Sequence, residues 1–140
     1  MKLRILTCLL IIALMLPFTS CIVTSKDTHV DISCDDFREN PKSTRNDFTI
    51  EVGDKVYVEL CSNPTTGFKW SYKMTGDSAV KEEGYDFEEP ESDLPGAAGK
   101  EIWTFEGTSK GITEIMMEYS QPWDGGMKQE WTYKLTITVE

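Results

Sequence analysis

The segment VYVELCSNPTTGFKWSYKM, residues 56–74, decides the fold, because two alternating patterns flank a run of turn-forming residues. Apolar side chains occupy every second position from Val56 to Leu60, and the alternation resumes from Phe68 to Met74. A period of two is typical of a β-strand with one buried face. Asn, Pro, Thr and Gly interrupt the alternation, so the segment predicts two strands joined by a structured loop.

The connecting loop is conformationally restricted. Pro64 fixes its own φ and restricts Asn63 before it. Thr65 and Thr66 are stiff β-branched residues with hydroxyls at the tip, and Gly67 can adopt a positive φ at little cost. A loop with so few accessible conformations loses little entropy when a partner binds it.

Alternation elsewhere predicts that the rest of the chain is also built from strands. The predicted strands are Val30 to Cys34, Phe48 to Val52, Lys100 to Glu106, Gly111 to Tyr119 and Trp131 to Val139. No stretch beyond residue 21 has a convincing helical period, and Arg38 to Asn46 is predicted to be a polar loop. Six to eight short strands in about 110 residues favour an all-β, immunoglobulin-like β-sandwich that forms a single domain.

The segment from Gly76 to Lys100 departs from the strand pattern. Its acidic side chains are Glu82, Glu83, Asp86, Glu88, Glu89, Glu91 and Asp93. Such a composition is typical of disorder, but Tyr85 and Phe87 are large enough to anchor the segment by packing. We therefore predict a long ordered loop with one short strand near Tyr85 to Glu88.

Residues 1–20 have the pattern of a secretory signal peptide. Lys2 and Arg4 precede an unbroken apolar run from Leu9 to Leu16, which is too short to span a membrane comfortably. Small residues then precede Cys21, and this arrangement resembles the lipobox in which a Cys becomes lipidated and is the new N-terminus.

This N-terminus predicts an exported protein. We favour a lipoprotein in which lipidated Cys21 attaches the chain to a bacterial-type cell envelope membrane. Residues 21–28 would be a tether and residues 29–140 the folded domain. The alternative is an ordinary signal peptide and a secreted protein in which Cys21 carries no lipid.

The chain is strongly acidic, with a formal net charge of −10 at pH 7. Removing residues 1–20 leaves 120 residues with 12 basic and 24 acidic side chains, a net charge of −12. A domain of this size has room for one modest core, and we expect a monomer without a cofactor. Nucleic-acid binding requires a basic footprint, so the charge argues against a nucleic-acid partner.

Two of the four cysteines remain in the predicted domain, Cys34 and Cys61. An oxidising compartment favours a disulfide between them. Sequence alone does not place their Cα atoms within bonding distance, so two buried free thiols are the alternative.

Catalytic chemistry lacks a convincing set of residues. The single histidine, His29, lies five residues before Cys34, and this odd spacing places the two on opposite faces of a strand. His29 could meet Cys61 only through tertiary packing, and a solvent-exposed histidine is the better interpretation. Neither zinc-binding spacing nor a calcium-loop order is present in the sequence. We therefore predict neither an enzyme nor a metal-binding protein.

Three loops instead carry residues suited to contact. The candidate binding residues are Asn63, Pro64, Thr65, Thr66, Gly67 and Phe68 in the first, Leu94, Pro95, Gly96, Ala97, Ala98 and Gly99 in the second, and Gln121, Pro122 and Trp123 in the third. Trp70, Trp103 and Trp131 lie within alternating strands and are assigned to the core. Phe68 could begin a strand or support the first loop. Trp123 could be an exposed interface anchor or could cover the end of the sandwich, and the sequence favours neither.

The three loops resemble those of the chagasin family, proteinaceous inhibitors of papain-like cysteine proteases. The family motif N-P-T-T-G-[FY]-x-W matches Asn63 to Trp70 throughout, and Pro95 to Gly99 is similar to its glycine-rich second loop. The third family motif is Arg-Pro-Trp, and Gln121 stands here in place of the Arg. The resemblance covers about Phe48 to the C-terminus, and three motifs in family order argue against coincidence.

The resemblance implies a function and a role for each loop. A sandwich with binding loops at one end would inhibit a papain-like protease reversibly, with Thr65, Thr66 and Gly67 over the catalytic Cys. The second loop would lie on the non-primed side of the cleft, and Trp123 would stack on the primed side. Losing the Arg removes a planar charged donor at Gln121 and puts contacts of the third loop in doubt. The alternative function is a non-inhibitory surface lipoprotein that binds carbohydrate or peptide through the same loops.

Overall fold

A computed structural model describes residues 26–39 and 43–140, so the predicted signal peptide and Cys21 lie outside the described residues. The elements are β1 Thr28–Ile32, α1 Cys34–Glu39, β2 Ser43–Ile50, β3 Lys55–Ser62, β4 Lys69–Gly76, β5 Val80–Glu88, β6 Gly99–Gly107, β7 Gly111–Ser120 and β8 Trp131–Val139. β1 begins at Thr28, one residue inside the predicted tether. None of the described helices is long and apolar enough to cross a membrane.

The eight strands form two four-stranded sheets, ordered β1-β3-β6-β5 and β2-β8-β7-β4. β1 pairs with β3 and β2 pairs with β8 in parallel, and the other neighbours are antiparallel. One continuous core lies between the sheets. The predicted all-β, immunoglobulin-like β-sandwich is confirmed.

Alternating strands bury their apolar positions, as the sequence predicts. Val56, Val58 and Leu60 of β3 are fully buried, and the residues between them are partly exposed. Burying a side chain of this size stabilises the fold by about 1.5–3 kcal/mol. Trp70 and Trp103 are buried in the core and Trp131 packs partly buried against it, so all three predicted assignments agree with the structure.

The helix α1 corrects the predictions for Cys34 and for the polar loop from Arg38 to Asn46. Cys34 begins a six-residue helix instead of ending a strand, and β2 begins at Ser43 inside the predicted loop. Ser33 caps the helix, because its Oγ accepts from the Asp36 N–H at 3.2 Å while Asp36 Oδ2 accepts from the Ser33 N–H at 2.9 Å. The helix buries only Phe37.

The strand β5 corrects the prediction of a long loop from Gly76 to Lys100. It spans Val80–Glu88 at the edge of its sheet, with an irregularity between Glu82 and Gly84. Val80 is the one buried residue of β5, so the strand shows little alternation, and its second half coincides with the short strand predicted near Tyr85 to Glu88. Tyr85 is 55% exposed, although its ring lies 5.2 Å from that of Trp103, and Phe87 is partly buried.

Candidate functional site

Three connections lie at one end of the sandwich. They are the first loop, residues 63–68 between β3 and β4, the second loop, residues 89–98 between β5 and β6, and the third loop, residues 121–130 between β7 and β8. Two hydrogen bonds join them. Asn63 Nδ2 donates to the Gly96 carbonyl at 2.8 Å, and Gln121 Nε2 donates to the Thr66 carbonyl at 3.2 Å. The first loop is therefore held between the other two.

The tip of the first loop is wound into a 3₁₀ turn at Pro64–Thr66. Asn63 Oδ1 accepts from the Thr65 backbone N–H at 3.2 Å and from its hydroxyl at 2.6 Å. The Thr66 hydroxyl donates to the Asn63 carbonyl at 2.6 Å. Gly67 closes the turn in the left-handed region at φ 76°, and its N–H donates to the Pro64 carbonyl at 3.0 Å. Both threonine hydroxyls thus stiffen the loop from within.

Trp123 of the third loop lies against Gly67. A Cβ at Gly67 would come within 2.5 Å of Trp123 Cη2, so only glycine permits this approach. The indole is nevertheless 50% exposed. Trp123 therefore lies beside the tip of the first loop with half of its surface open to solvent, and its role as an interface anchor stays a prediction.

Gln121 fixes the third loop as well as joining it to the first. Its N–H donates to the Met127 carbonyl at 2.8 Å, and its Oε1 accepts from the Met127 N–H at 3.0 Å. The ammonium of Lys128 donates to the backbone carbonyls of Gln121 and Trp123. In this chain the residue that replaces the family Arg is thus part of the loop scaffold, because both ends of its amide are used.

The second loop presents apolar and small residues. The Ala97 N–H donates to the Leu94 carbonyl at 3.0 Å, which forms a turn around Gly96 at φ 82°. Leu94 is 73% exposed. Gly99 does not belong to the exposed loop, because it is the buried first residue of β6 and a Cβ there would collide with the Glu88 carbonyl.

Phe68 supports the first loop from below. It is partly buried outside β4, and its ring lies 5.2 Å from that of Tyr119. The Tyr119 oxygen in turn accepts from the Asn63 N–H at 2.7 Å. Tyr119 thus holds the start of the loop, a role that its strand alternation alone did not indicate.

Glu101 is a second residue that the sequence reasoning missed. It is 4% exposed and lies under the first loop, where Oε1 accepts from Ser62 Oγ at 2.7 Å and from the Trp70 N–H at 3.2 Å. The Tyr85 hydroxyl donates to Oε2 at 3.2 Å. Burial and the negative charge of Glu101 raise the pKa of Tyr85. The available signal was position, since Glu101 shares the inward face of β6 with Trp103.

A groove of about 730 Å³ separates the loops from α1. Arg38 of α1 lines it together with Thr66, Ala98 and Met127, one residue from each of the three loops. Cys34 forms a disulfide with Cys61, with their Cα atoms 5.2 Å apart, and so fastens α1 to the strand that enters the first loop.

The described residues hold neither a metal-binding cluster nor a free thiol beside His29. The His29 ring stacks on that of Tyr57 at 4.6 Å, and the disulfide between Cys34 and Cys61 leaves neither as a thiol. Within residues 26–39 and 43–140, no group of three or more His, Cys, Asp or Glu side chains could hold a metal ion. The arrangement is suited to contact through rigid loops.

The fold and the site define a β-sandwich with three hydrogen-bonded loops at one end. The family described as chagasin family peptidase inhibitor I42 matches residues 49–137. The chain is also 33% identical to chagasin from Trypanosoma cruzi over 81 residues, which cover 55% of this chain and 74% of chagasin. The chain therefore belongs to the chagasin family of peptidase inhibitors. This membership confirms the prediction that it is not an enzyme.

Solved structures agree on the fold. The cysteine protease inhibitor EhICP2 from Entamoeba histolytica superposes with a TM-score of 0.64 at 17% identity, covering 84% of this chain and all of EhICP2. PbICP-C, solved in complex with falcipain-2, superposes with a TM-score of 0.52 at 16% identity, and the match covers 83% of this chain and all of the PbICP-C chain. At 17% and 16% identity, these likenesses show a shared fold alone.

Proposed function

We propose that this protein is a reversible inhibitor of papain-like cysteine proteases whose three loops fill the active-site cleft. The observation that carries the proposal is the first loop, which has the family motif and is held on both sides by hydrogen bonds from Asn63 and Gln121. Because these bonds exist in the unbound chain, little ordering remains to be done on binding. PbICP-C, with the same fold, has been solved bound to falcipain-2.

The shape of the first loop suits occlusion without cleavage. Pro64–Thr66 forms a 3₁₀ turn, and Gly67 is hydrogen-bonded back to Pro64. The turn would place Thr65 and Thr66 over the catalytic Cys as a compact plug, whereas a substrate would offer an extended peptide bond. The protease is then blocked sterically, and inhibition requires no bond to form.

Exposed apolar side chains flank the plug and supply contact area. Leu94 of the second loop and Trp123 of the third are 73% and 50% exposed. Their placement fits a second loop on the non-primed side of the cleft and a third loop on the primed side. Trp is enriched among the few residues that carry most of the binding energy of an interface, so Trp123 is the expected anchor of the two. One copy of the chain carries all three loops, so we propose that it acts as a monomer.

An inhibition panel tests the function. Protein lacking residues 1–21 is titrated against several papain-like proteases, with a serine protease of similar substrate preference as the control. Reversible inhibition of the first group alone supports the proposal. If every papain-like protease remains active when this protein is present at micromolar concentration, the proposal is contradicted. That result would favour a module that binds carbohydrate or peptide.

Trp123→Ala is expected to weaken inhibition about 30-fold, or about 2 kcal/mol, because it removes an exposed aromatic anchor beside the plug. Far-UV circular dichroism and the thermal midpoint should remain close to those of the wild type, since the indole lies outside the core. Exposed Met116 on the outer face of β7 provides a control, and Met116→Ala should leave inhibition unchanged. Equal inhibition by Trp123→Ala and the wild type would exclude the indole from the interface.

We also propose that the chain is exported and lipid-anchored through Cys21, within a bacterial-type cell envelope. The basic start, the apolar run and the Cys at position 21 support this location. A tether before β1 would leave the loops free to meet a protease away from the membrane.

Expression of the full chain in a bacterium tests the anchor. The wild type is expected in the detergent-soluble membrane fraction, whereas Cys21→Ser should lose the lipid and leave that fraction or retain its signal peptide. Lipid attachment is followed by mass spectrometry of the N-terminal peptide. A wild-type N-terminus without lipid would contradict the anchor and would indicate a secreted protein.

A further inference from the structure

The carboxylate of Glu101 lies buried directly beneath the first loop. The oxygen Oε1 accepts from Ser62 Oγ at 2.7 Å and from the Trp70 N–H at 3.2 Å. Ser62 directly precedes the loop, and Trp70 is the second residue after it. Both stems of the loop are therefore joined at a single oxygen atom.

The second oxygen extends the connection to another strand. Oε2 accepts from the hydroxyl of Tyr85 at 3.2 Å, and Tyr85 belongs to β5, the strand that leads into the second loop. One side chain thus links the two stems of the first loop with the stem of the second.

A carboxylate is a costly choice for this position. Glu101 is 4% exposed, and Trp103 and Phe105 follow it on the same inward face of β6. Its described contacts are all with neutral donors, so hydrogen bonds alone offset the cost of removing the charge from water. An apolar residue would fit the alternation of the strand without that cost. Glu101 therefore supplies hydrogen-bond acceptors that an apolar side chain at this position would lack.

We propose that Glu101 is a positioning residue for inhibition, which sets the separation of Ser62 and Trp70 and thereby the shape of the first loop before a protease binds. The inference rests on the proposed function and adds a residue that does not itself touch the protease. A loop held in its binding shape loses less entropy on association, so releasing its stems should reduce affinity even in a folded protein.

Two substitutions at Glu101 separate this role from simple packing. Glu101→Leu has a similar size and removes both acceptors. Glu101→Gln keeps one carbonyl oxygen for Ser62 and Trp70, and its amide nitrogen can donate to the Tyr85 oxygen. We expect Glu101→Leu to weaken papain inhibition on the order of 30-fold, and Glu101→Gln to stay within about threefold of the wild type. Inhibition is measured at a temperature where unfolding curves show each variant to be folded.

Amide hydrogen exchange supplies a readout that does not depend on any protease. The Thr66 and Gly67 N–H groups are bonded within the loop, to Asn63 and Pro64, and should exchange faster in Glu101→Leu but not in Glu101→Gln. Ser62→Ala removes one stem bond and should produce a smaller change in the same direction. If Glu101→Leu does not fold, Ser62→Ala is the variant that tests the inference.

The outcomes are distinct. Wild-type inhibition and loop exchange in folded Glu101→Leu would overturn the inference, as would a Glu101→Gln variant that is as impaired as Glu101→Leu. If Glu101→Leu does not fold, unchanged inhibition and exchange in Ser62→Ala would overturn it. If the wild type inhibits no papain-like protease, the proposed function fails, while faster loop exchange in Glu101→Leu still supports the positioning of the loop by Glu101.

Discussion

Gly67→Ala is expected to weaken inhibition of papain on the order of 100-fold, or about 2.7 kcal/mol. Gly67 has a φ of 76°, a conformation that costs a residue with a side chain about 1 kcal/mol or more. The added methyl group would also lie 2.5 Å from Cη2 of Trp123, so the indole must move away from the loop. The substitution therefore disturbs the plug and its neighbouring anchor together. Inhibition constants of the purified variant and the wild type provide the measurement.

Gly53→Ala is the matched control for backbone strain. Gly53 has a φ of 95° in the turn between β2 and β3, and a Cβ there would meet nothing within 4 Å. That turn lies at the end of the sandwich opposite to the three loops. We expect a similar loss of stability and unchanged inhibition. An inhibition constant for Gly67→Ala that equals that of Gly53→Ala would show that the contact with Trp123 has no part in binding.

Replacing both cysteines, as Cys34→Ser with Cys61→Ser, is expected to lower the free energy of unfolding by about 3.5 kcal/mol. The disulfide joins residues 27 positions apart, and its loss leaves the unfolded chain with more conformations. We expect the packing of α1 to persist in the double variant, because Phe37 stacks on Trp131 at 5.0 Å and this contact does not involve either cysteine. Urea unfolding of the double variant and the oxidised wild type measures the difference.

Reduction is the control for the serine substitutions. A reducing agent should lower the stability of the wild type toward that of the double variant, and should leave the double variant unchanged. Equal stabilities of the oxidised wild type and the double variant would contradict a stabilising disulfide. Where the double variant is folded, its inhibition should remain within a few-fold of the wild type, because the loop hydrogen bonds do not involve Cys34.

The sequence was sufficient to predict most strands, because their alternation is set by one buried face. β8, Trp131–Val139, agrees with the prediction at both ends. The helix α1 was missed since six residues are too few to show a helical period, and a single buried residue, Phe37, gives no repeat. Of β5, only the second half was predicted, as the short strand near Tyr85 to Glu88, because Val80 is the one buried residue of the strand and its sequence therefore shows little alternation.

The three loops of the site could be predicted from the sequence, but the contacts that join them could not. Composition located the three loops, and Pro64 and Gly67 indicated a stiff turn. The contact of Gly67 with Trp123 and the hydrogen bond from Gln121 to Thr66 join residues more than 50 positions apart, as does the bond from Asn63 to Tyr119. Such contacts follow from how the two sheets pack, and sequence periodicity does not specify them.

The roles of two residues changed most. Gln121, which replaces the family Arg, put contacts of the third loop in doubt, and in the structure its amide joins that loop to the first. Glu101 was assigned no role at all, because a strand pattern distinguishes inward from outward positions and says nothing about hydrogen-bond partners. Gln121 is hydrogen-bonded to the first loop itself and Glu101 to the residues on either side of it.

Binding to papain with an open or a filled cleft tests the central claim most directly. Calorimetry compares active papain with papain whose catalytic Cys carries an irreversible inhibitor that fills the cleft. The account predicts tight one-to-one binding to active papain and no detectable heat with the blocked enzyme. Equal binding to both forms, or binding to neither, would contradict occlusion of the cleft by the loop at Thr65 and Thr66.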